Sequence, residues 1–405
     1  MGPDFIDPSY HRLAVGRPSR SLDAFLSGET LLPSLAVKAG LGCDLLVIEG
    51  VMGLFDGSGQ PGCDGSTAAI GRLLGAPVVL VVDASAMSGS VAAIVHGFAT
   101  LDERIGLGGV ILNRVGGAGH AALLREALGP LSVPVLGVVY HDQRLEWRER
   151  HLGLVPVAEQ PASVRRSIER LSETLRDSID LEALVALARS APHRAVPDPP
   201  QSRQVGRCRI AVCAGPAFSF TYPENLELFE QAGAELAPFD PLEDASLPDG
   251  CTGLYAGGGF PEVFAEALGA NRALVAKVRQ RIGTNLAVWA ECGGFMWLAE
   301  SLDGRPMVGA LPGTHVRMSD GLTIGYRTAT TRAPSFLGPA GTVMRGHEFH
   351  RSTAEPPGDG LRLAGRFGSA HGGYVAPKVF ASYLHQHLAA TPALAEGFVA
   401  AASRS

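Results

Sequence analysis

Lysine is nearly missing from this chain: among its 34 Lys and Arg residues only Lys38, Lys277 and Lys378 are lysines. A phosphate-binding P-loop needs a lysine in G-x-x-x-x-G-K-S/T, because its ammonium reaches the β- and γ-phosphates. None of the three stands in that context, so no Walker A loop is present in the 405 residues. Cysteine is scarce too: Cys43, Cys63, Cys208, Cys213, Cys251 and Cys292 are scattered without a C-x-x-C pair. That argues against a disulfide framework or a zinc cage. Charged residues make up only 18%, with a formal net charge of −6, which argues against a basic nucleic-acid-binding face. No uncharged apolar run approaches the ~18 residues of a membrane span, and no basic-then-apolar signal pattern opens the chain. The expectation is a cytoplasmic enzyme with neither nucleic acid nor membrane as partner.

What is abundant is core-forming material, with 46% hydrophobic residues in a length that suits two domains. Residues 43–50, 77–83, 108–114 and 133–139 are continuous apolar runs, as expected of strands covered on both faces. Helical patterns over 65–74 and 90–99 lie between them, which implies right-handed βαβ units and a parallel sheet. Ligands bind at the carboxyl ends of such strands, and here those ends carry Glu49, Asp83, Asn113 and Arg114. A helical pattern runs from about 161 to 191 and is followed by a proline-dense linker. The expected division is one domain over 1–190, a linker over 191–207 and a second domain over 208–405.

In the second domain, a strand pattern over 285–291 runs into Cys292-Gly293-Gly294, with helical pattern from Phe295 to Ser301. A thiol on such a turn is expected to be exposed, at a helix N-terminus whose dipole favours thiolate. Leu254-Tyr255-Ala256-Gly257-Gly258-Gly259 is a strand ending in a glycine turn that can aim backbone N–H groups at an oxyanion. Phe380-Ala381-Ser382-Tyr383-Leu384-His385-Gln386-His387 ends another strand in histidines, a candidate general base. Three elements of acyl-transfer chemistry in one domain, each at a strand terminus, favour nucleophilic catalysis.

The order Gly257-Gly258-Gly259-Phe260-Pro261-Glu262, Ala290-Glu291-Cys292-Gly293-Gly294-Phe295-Met296, Gly346-His347-Glu348-Phe349-His350 and Ala381-Ser382-Tyr383-Leu384-His385 resembles the glutamine amidotransferase domain of cobyrinate a,c-diamide synthases. That resemblance implies a class I glutaminase fold, with Cys292 attacking the glutamine carboxamide and His385 activating it. Gly258, Gly259 and the N–H of Gly293 are the implied oxyanion donors. Ordinary class I triads carry His-x-Glu, whereas the third position here is His387, so the group orienting His385 stays open. No catalytic role is assigned to His347, Glu348 or His350.

At the front, Gly2-Pro3-Asp4-Phe5-Ile6-Asp7-Pro8 places two carboxylates three apart between prolines, which predicts a rigid turn. Glu49 ends a predicted strand and Asp56 sits in a glycine-rich loop, hard oxygen ligands suited to Mg²⁺ on nucleotide phosphates. These segments resemble the synthetase domain of the same family, which is related to dethiobiotin synthetases and P-loop ATPases. The family's Pro-Asp-Tyr-Ile-Asp-Pro has Phe5 in place of its tyrosine here. The implied roles are Mg·ATP and corrinoid contacts for Asp4, Asp7, Glu49 and Asp56, with Glu49 and Asp56 as metal ligands and Asn113 near the nucleotide base. The resemblance extends from Gly2 to about Leu388, but relatives begin with a strand, a P-loop lysine and a helix. The expectation is therefore an N-terminal sheet incomplete at its start and a start codon assigned too late.

The implied reaction is ATP-dependent amidation of the a and c acetate side chains of cobyrinate or hydrogenobyrinate with ammonia from L-glutamine. ATP and Mg²⁺ are the implied co-substrate and cofactor, a homodimer is the candidate assembly, and the two domains are expected to pack closely enough to retain ammonia. The alternatives are cobyric acid synthase, nickel-sirohydrochlorin a,c-diamide synthase, or a non-catalytic corrinoid-binding remnant. The Ala381-Ser382-Tyr383-Leu384-His385-Gln386 ending favours the a,c-diamide synthase, since cobyric acid synthases tend to carry Gly-Thr-Tyr-x-His-Gly.

Overall fold

The computed structural model describes residues 1–59, 62–143, 149–150, 153–154, 157, 161–192 and 195–404. His193 and Arg194 of the expected linker lie outside the described residues. The chain divides into two compact units, one of Met1–Ala24, Glu29–Ser58 and Gly62–Asp198, the other of Phe25–Gly28, Gly59–Pro61 and Pro199–Ser405.

The first unit opens with a helix, α1 (Ile6–Val15), where a rigid turn was expected over the first residues. Pro8 falls in the first helical turn, where its missing N–H has no intrahelical partner to lose. The Asp4 carboxylate supplies the cap, accepting from the backbone N–H of Ile6 at 3.2 Å and of Asp7 at 3.0 Å. Two short helices come next in the chain, α2 (Ala24–Ser27), most of which belongs to the second unit, and α3 (Leu32–Gly40). The predicted strand over 43–50 does not form: those residues pair in no sheet, and Val47 is 81% exposed. An apolar run becomes a buried strand only beside a hydrogen-bonding neighbour, and none is present for it among the described residues.

Beyond that run, α4 (Thr67–Leu74) is capped by Ser66 Oγ, which accepts from the Ala69 N–H at 3.1 Å, and closed by left-handed Gly75. Then β1 (Val78–Asp83), α5 (Ser90–Thr100), β2 (Leu107–Val115), α6 (Ala118–Leu128) and β3 (Val135–Tyr140) alternate. The strands form a parallel sheet in the order β1-β2-β3. Val91, Val95, Val110, Leu112 and Leu124 are fully buried in its core, each worth roughly 1.5–3 kcal/mol. On β1, the edge strand, Val81 stays 60% exposed. A short antiparallel pair follows, β4 (Glu149–Arg150) and β5 (Gly153–Leu154). The single helix expected over 161–191 is two, α7 (Pro161–Arg176) and α8 (Leu181–Arg189). The break lets Ile179 form an antiparallel bridge to Gly137 of β3, while Asp180 Oδ1 caps α8 by accepting from the Ala183 N–H at 2.9 Å.

The second unit begins with β6 (Cys208–Cys213), α9 (Pro223–Ala232), β7 (Ala234–Phe239) and β8 (Gly253–Ala256). Next come α10 (Ala265–Ala270), α11 (Arg272–Thr284), β9 (Ala287–Glu291) and α12 (Gly293–Leu298). Helix α12 is shorter than its pattern suggested, because Ser301 already starts β10 (Ser301–Leu302). The remaining strands are β11 (Arg305–Pro306), β12 (His315–Thr331), β13 (Val343–Glu355), β14 (Leu361–Gly365), β15 (Gly368–Gly372), β16 (Tyr374–Ala376) and β17 (Val379–Ser382), before the closing helix α13 (Pro392–Ser403). The main sheet runs β16-β17-β9-β8-β6-β7, parallel except for β16. A second sheet is built on the long antiparallel ribbon of β12 and β13. Strand β9 is wholly buried, and its side chains alternate between two cores: Val288 and Ala290 on one face, Ala287 and Trp289 on the other.

Candidate active site

The three motifs of the second unit lie on adjacent parallel strands. Strand β9 sits between β8 and β17, with Glu291 opposite Ser382, so the glycine turn, Cys292 and the histidine segment all leave the same end of the sheet. Cys292 is the hinge between β9 and α12, at φ 47° and ψ −101°, a left-handed conformation costly for any side chain. Two hydrogen bonds hold the turn: its N–H donates to Ser382 O at 2.8 Å, and the Gly294 N–H donates to Gly257 O at 2.9 Å. A Cβ on Gly294 would strike the Ala256 carbonyl, so the helix can start this close to β8 only with glycine there.

The thiol is not the exposed thiolate that its position suggested. Cys292 is 5% exposed, and burial together with the charges of Glu262, Glu291 and Glu348 pushes the thiol above its ordinary range. The Gly293 N–H points at the sulfur and pulls the other way, but one amide and a six-residue helix do not offset full desolvation. His385 is equally buried, at 2% exposed, and burial beside His347 and His350 brings its imidazole down to about 3. The resting pair is therefore a neutral thiol and a neutral imidazole. That arrangement suits proton abstraction during attack rather than a standing ion pair.

Gly258 packs directly against the His385 ring, since a Cβ there would collide with Cε1. Its N–H is already spent: it donates to Phe220 O at 2.9 Å in a reciprocal bridge. Gly258 therefore drops out of the expected oxyanion donors. Gly259 N lies 3.0 Å from a Cβ built on Gly293, so the N–H groups of Gly259 and Gly293 remain as neighbouring candidates.

His387 turns away from His385. Its Nε2 lies 3.5 Å from Glu224 Oε2 and its Nδ1 lies 3.3 Å from Ser27 Oγ, in the Phe25–Gly28 segment of the same unit. The group nearest His385 that motif reading passed over is Glu291, whose Oε2 is 3.9 Å from His385 Nδ1. The period-2 alternation of β9 carries the signal, since it puts Glu291 on the Trp289 face, and Trp289 Nε1 donates to Glu291 Oε1 at 2.8 Å.

The histidine-rich stretch of β13 borders the same centre. His347 and His385 exchange backbone hydrogen bonds, each 2.9 Å, and burial brings the His347 imidazole down to about 4. Glu348 accepts from Arg327 Nε at 2.7 Å. His350 stacks on Tyr383 at 3.7 Å between centroids.

In the first unit, Asp4, Asp7, Glu49 and His11 gather around the start of α1. His11 Nε2 lies 3.1 Å from Glu49 Oε2. Burial, then the charges of Asp4 and Glu49, raise the Asp7 carboxyl to about 6. The Asp56 carboxylate packs against Gly53. Asn113 lies two residues before the end of β2, opposite Asp83, and its Oδ1 accepts from the Arg114 N–H at 2.9 Å. No group of three or more His, Cys, Asp or Glu among the described residues is arranged to hold a metal. No helix among them is long and apolar enough to cross a membrane.

Two family descriptions match this chain: a CobB/CobQ-like glutamine amidotransferase domain over residues 209–393, and a CobQ/CobB/MinD/ParA nucleotide binding domain over residues 14–155. A hydrogenobyrinate a,c-diamide synthase of Streptomyces coelicolor is 46% identical, the match covering 98% of this chain and 89% of that protein. One of Mycobacterium tuberculosis is 42% identical, covering 100% of this chain and 90% of its own. A cobyrinate a,c-diamide synthase of Synechococcus is 39% identical, covering 100% and 91%.

Proposed function

Because this chain belongs to the hydrogenobyrinate and cobyrinate a,c-diamide synthase family, we propose that it is a glutamine-hydrolysing amidoligase acting on the a and c acetate groups of a cobyrinate-type corrin in cobalamin biosynthesis. The observation that carries the glutaminase half is the turn at Cys292, set between the β8 glycine turn and the β17 histidine segment. The thiol proton passes to His385 as sulfur attacks the glutamine carboxamide carbon, and the oxyanion is met by the N–H groups of Gly259 and Gly293. Collapse of the intermediate expels ammonia, the imidazolium returning its proton to the leaving nitrogen. Water then hydrolyses the thioester to glutamate.

At the first unit, the corrin acetate becomes an acyl phosphate at the expense of ATP, and ammonia displaces phosphate to give the amide. A carboxylate is a poor acyl donor at neutral pH, which is why a nucleotide is consumed. ATP use accords with the nucleotide-binding family description. The donor set fits Mg²⁺ in one respect: Asp7 and Glu49 are hard carboxylates near enough for the charge of Glu49 to act on Asp7. They would hold the ion with oxygens of the nucleotide completing its shell, and the ion would neutralise phosphate charge. Asp4 is committed to capping α1. We place the enzyme in the cytoplasm.

The test is glutamate release by the purified chain. Cys292→Ala should abolish it while amidation supported by added ammonia persists. Glutamate release that survives the substitution would overturn the reading.

A further inference from the structure

In this chain the position that follows a class I catalytic histidine by two residues is His387, and His387 is engaged elsewhere, with Glu224 and Ser27. The nucleophile strand itself offers a substitute. Glu291 is the residue immediately before Cys292, is 1% exposed, and sits opposite Ser382 in the β9–β17 ladder. Three residues beyond Ser382 the chain brings His385 Nδ1 to 3.9 Å from Glu291 Oε2. The other carboxylate oxygen accepts from the Trp289 indole N–H at 2.8 Å, and the Gln386 N–H also bonds to the group. A carboxyl held by these two donors stays against the ring it faces.

We propose that Glu291 is the positioning residue of the glutaminase, holding His385 with Nδ1 toward β9 so that Nε2 is the atom that takes the Cys292 thiol proton. When the thiol proton moves to Nε2, the sulfur pair of electrons goes to the glutamine carbon, and the positive charge left on the imidazolium is matched across Nδ1 by the Glu291 carboxylate. The proton that Nδ1 carries stays there throughout; only its partner's attraction strengthens. This role rests on the glutaminase reading above, and it differs from the usual one in that the orienting acid is the last residue of β9 and the nucleophile is the next residue, in the turn. The alternation of a strand makes that workable, because neighbours point to opposite faces and the turn at Cys292 redirects the thiol.

Burial raises the Glu291 carboxyl to about 8 against the pull of the Trp289 and Gln386 N–H groups. The titratable groups facing it are His385, Tyr255 and Cys292, and those facing His385 from β13 are His347 and His350. The charge-balanced form is therefore populated as pH rises through that value, which gives the role a signature beyond rate.

The experiment compares glutaminase kinetics of the full chain with those of Glu291→Gln, Glu291→Asp and Trp289→Phe. We expect Glu291→Gln to lower kcat about 10- to 100-fold with KM within about 3-fold. Its rising limb near pH 8 should vanish, and its unfolding midpoint should stay equal to or above that of the wild type. Glu291→Asp should recover part of kcat, and Trp289→Phe should lower kcat several-fold through loss of the anchor alone. Full kcat in Glu291→Gln, or an unchanged pH profile, overturns the inference while leaving the glutaminase reading in place. Absence of glutaminase from the wild-type chain overturns both. Should Glu291→Gln fail to fold, a Trp289→Phe variant of wild-type kcat and pH profile overturns it in the same way.

Discussion

The backbone N–H of Cys292 donates to the carbonyl of Ser382, which joins the turn bearing the nucleophile to the strand delivering its base. Thiol and imidazole are thus set by the end of one β-ladder rather than by two independent loops. Rigid elements hold such constellations more closely than loops do.

Gly258 fixes the third side of that arrangement. Gly258→Ala would drive a methyl group into the His385 ring. We expect kcat for glutamine hydrolysis to fall at least about 100-fold and stability to fall by about 1–3 kcal/mol, the usual cost of overpacking. Steady-state kinetics paired with urea unfolding would check both, and a variant with wild-type kcat would contradict the close packing.

Arg327 holds the buried carboxylate of Glu348 at 2.7 Å. Burial already raises the Glu348 carboxyl, and the guanidinium is what opposes that rise. Removing it in Arg327→Ala should cost about 3 kcal/mol, since an uncompensated buried charge is left behind. Arg327→Ala with Glu348→Gln should regain much of the loss, which a double-mutant cycle by denaturant titration would show.

Acid stability of the second unit should track its buried histidines. The folded-state value for His347, about 4, lies below the ordinary 6.5, so the folded form binds fewer protons than the unfolded chain between those limits. The associated stability is complete above pH 6.5 and is lost as pH falls toward 4, by up to about 3 kcal/mol. His347→Gln should flatten that part of the unfolding free energy measured against pH.

Asp7 has the opposite sign. With its carboxyl raised to about 6, the folded form holds a proton that the unfolded chain gives up, so stability declines as pH rises from about 4 to 6. The group is half exposed, and screening reduces the effect to below about 1 kcal/mol. Asp7→Asn should be the more stable protein at pH 7, by differential scanning calorimetry, and equal to wild type near pH 4.

Much of the catalytic layout was readable because each motif ends a strand. Continuous apolar runs before Gly257, Cys292 and His385 announce buried parallel strands, and their carboxyl ends are where ligands gather. What escaped was whatever depends on a partner far along the chain. Residues 43–50 carry the pattern of a buried strand, but pairing rather than pattern decides burial, and they pair with nothing among the described residues. The start of α1 looked like a turn because Pro8 disfavours helix, yet proline is harmless in a first turn that Asp4 caps. The Gly258 N–H looked available until Phe220, some 38 residues earlier, proved to accept it. The thiolate expected from the helix dipole gave way to desolvation, a quantity that no local motif encodes.

The turn at Cys292 has one more effect, felt when no substrate is bound. Peroxide and disulfide chemistry proceed through the thiolate and need a path to the sulfur, and a neutral thiol that is 5% exposed offers neither. Burial and neutrality at Cys292 thus both work against oxidation of the sulfur.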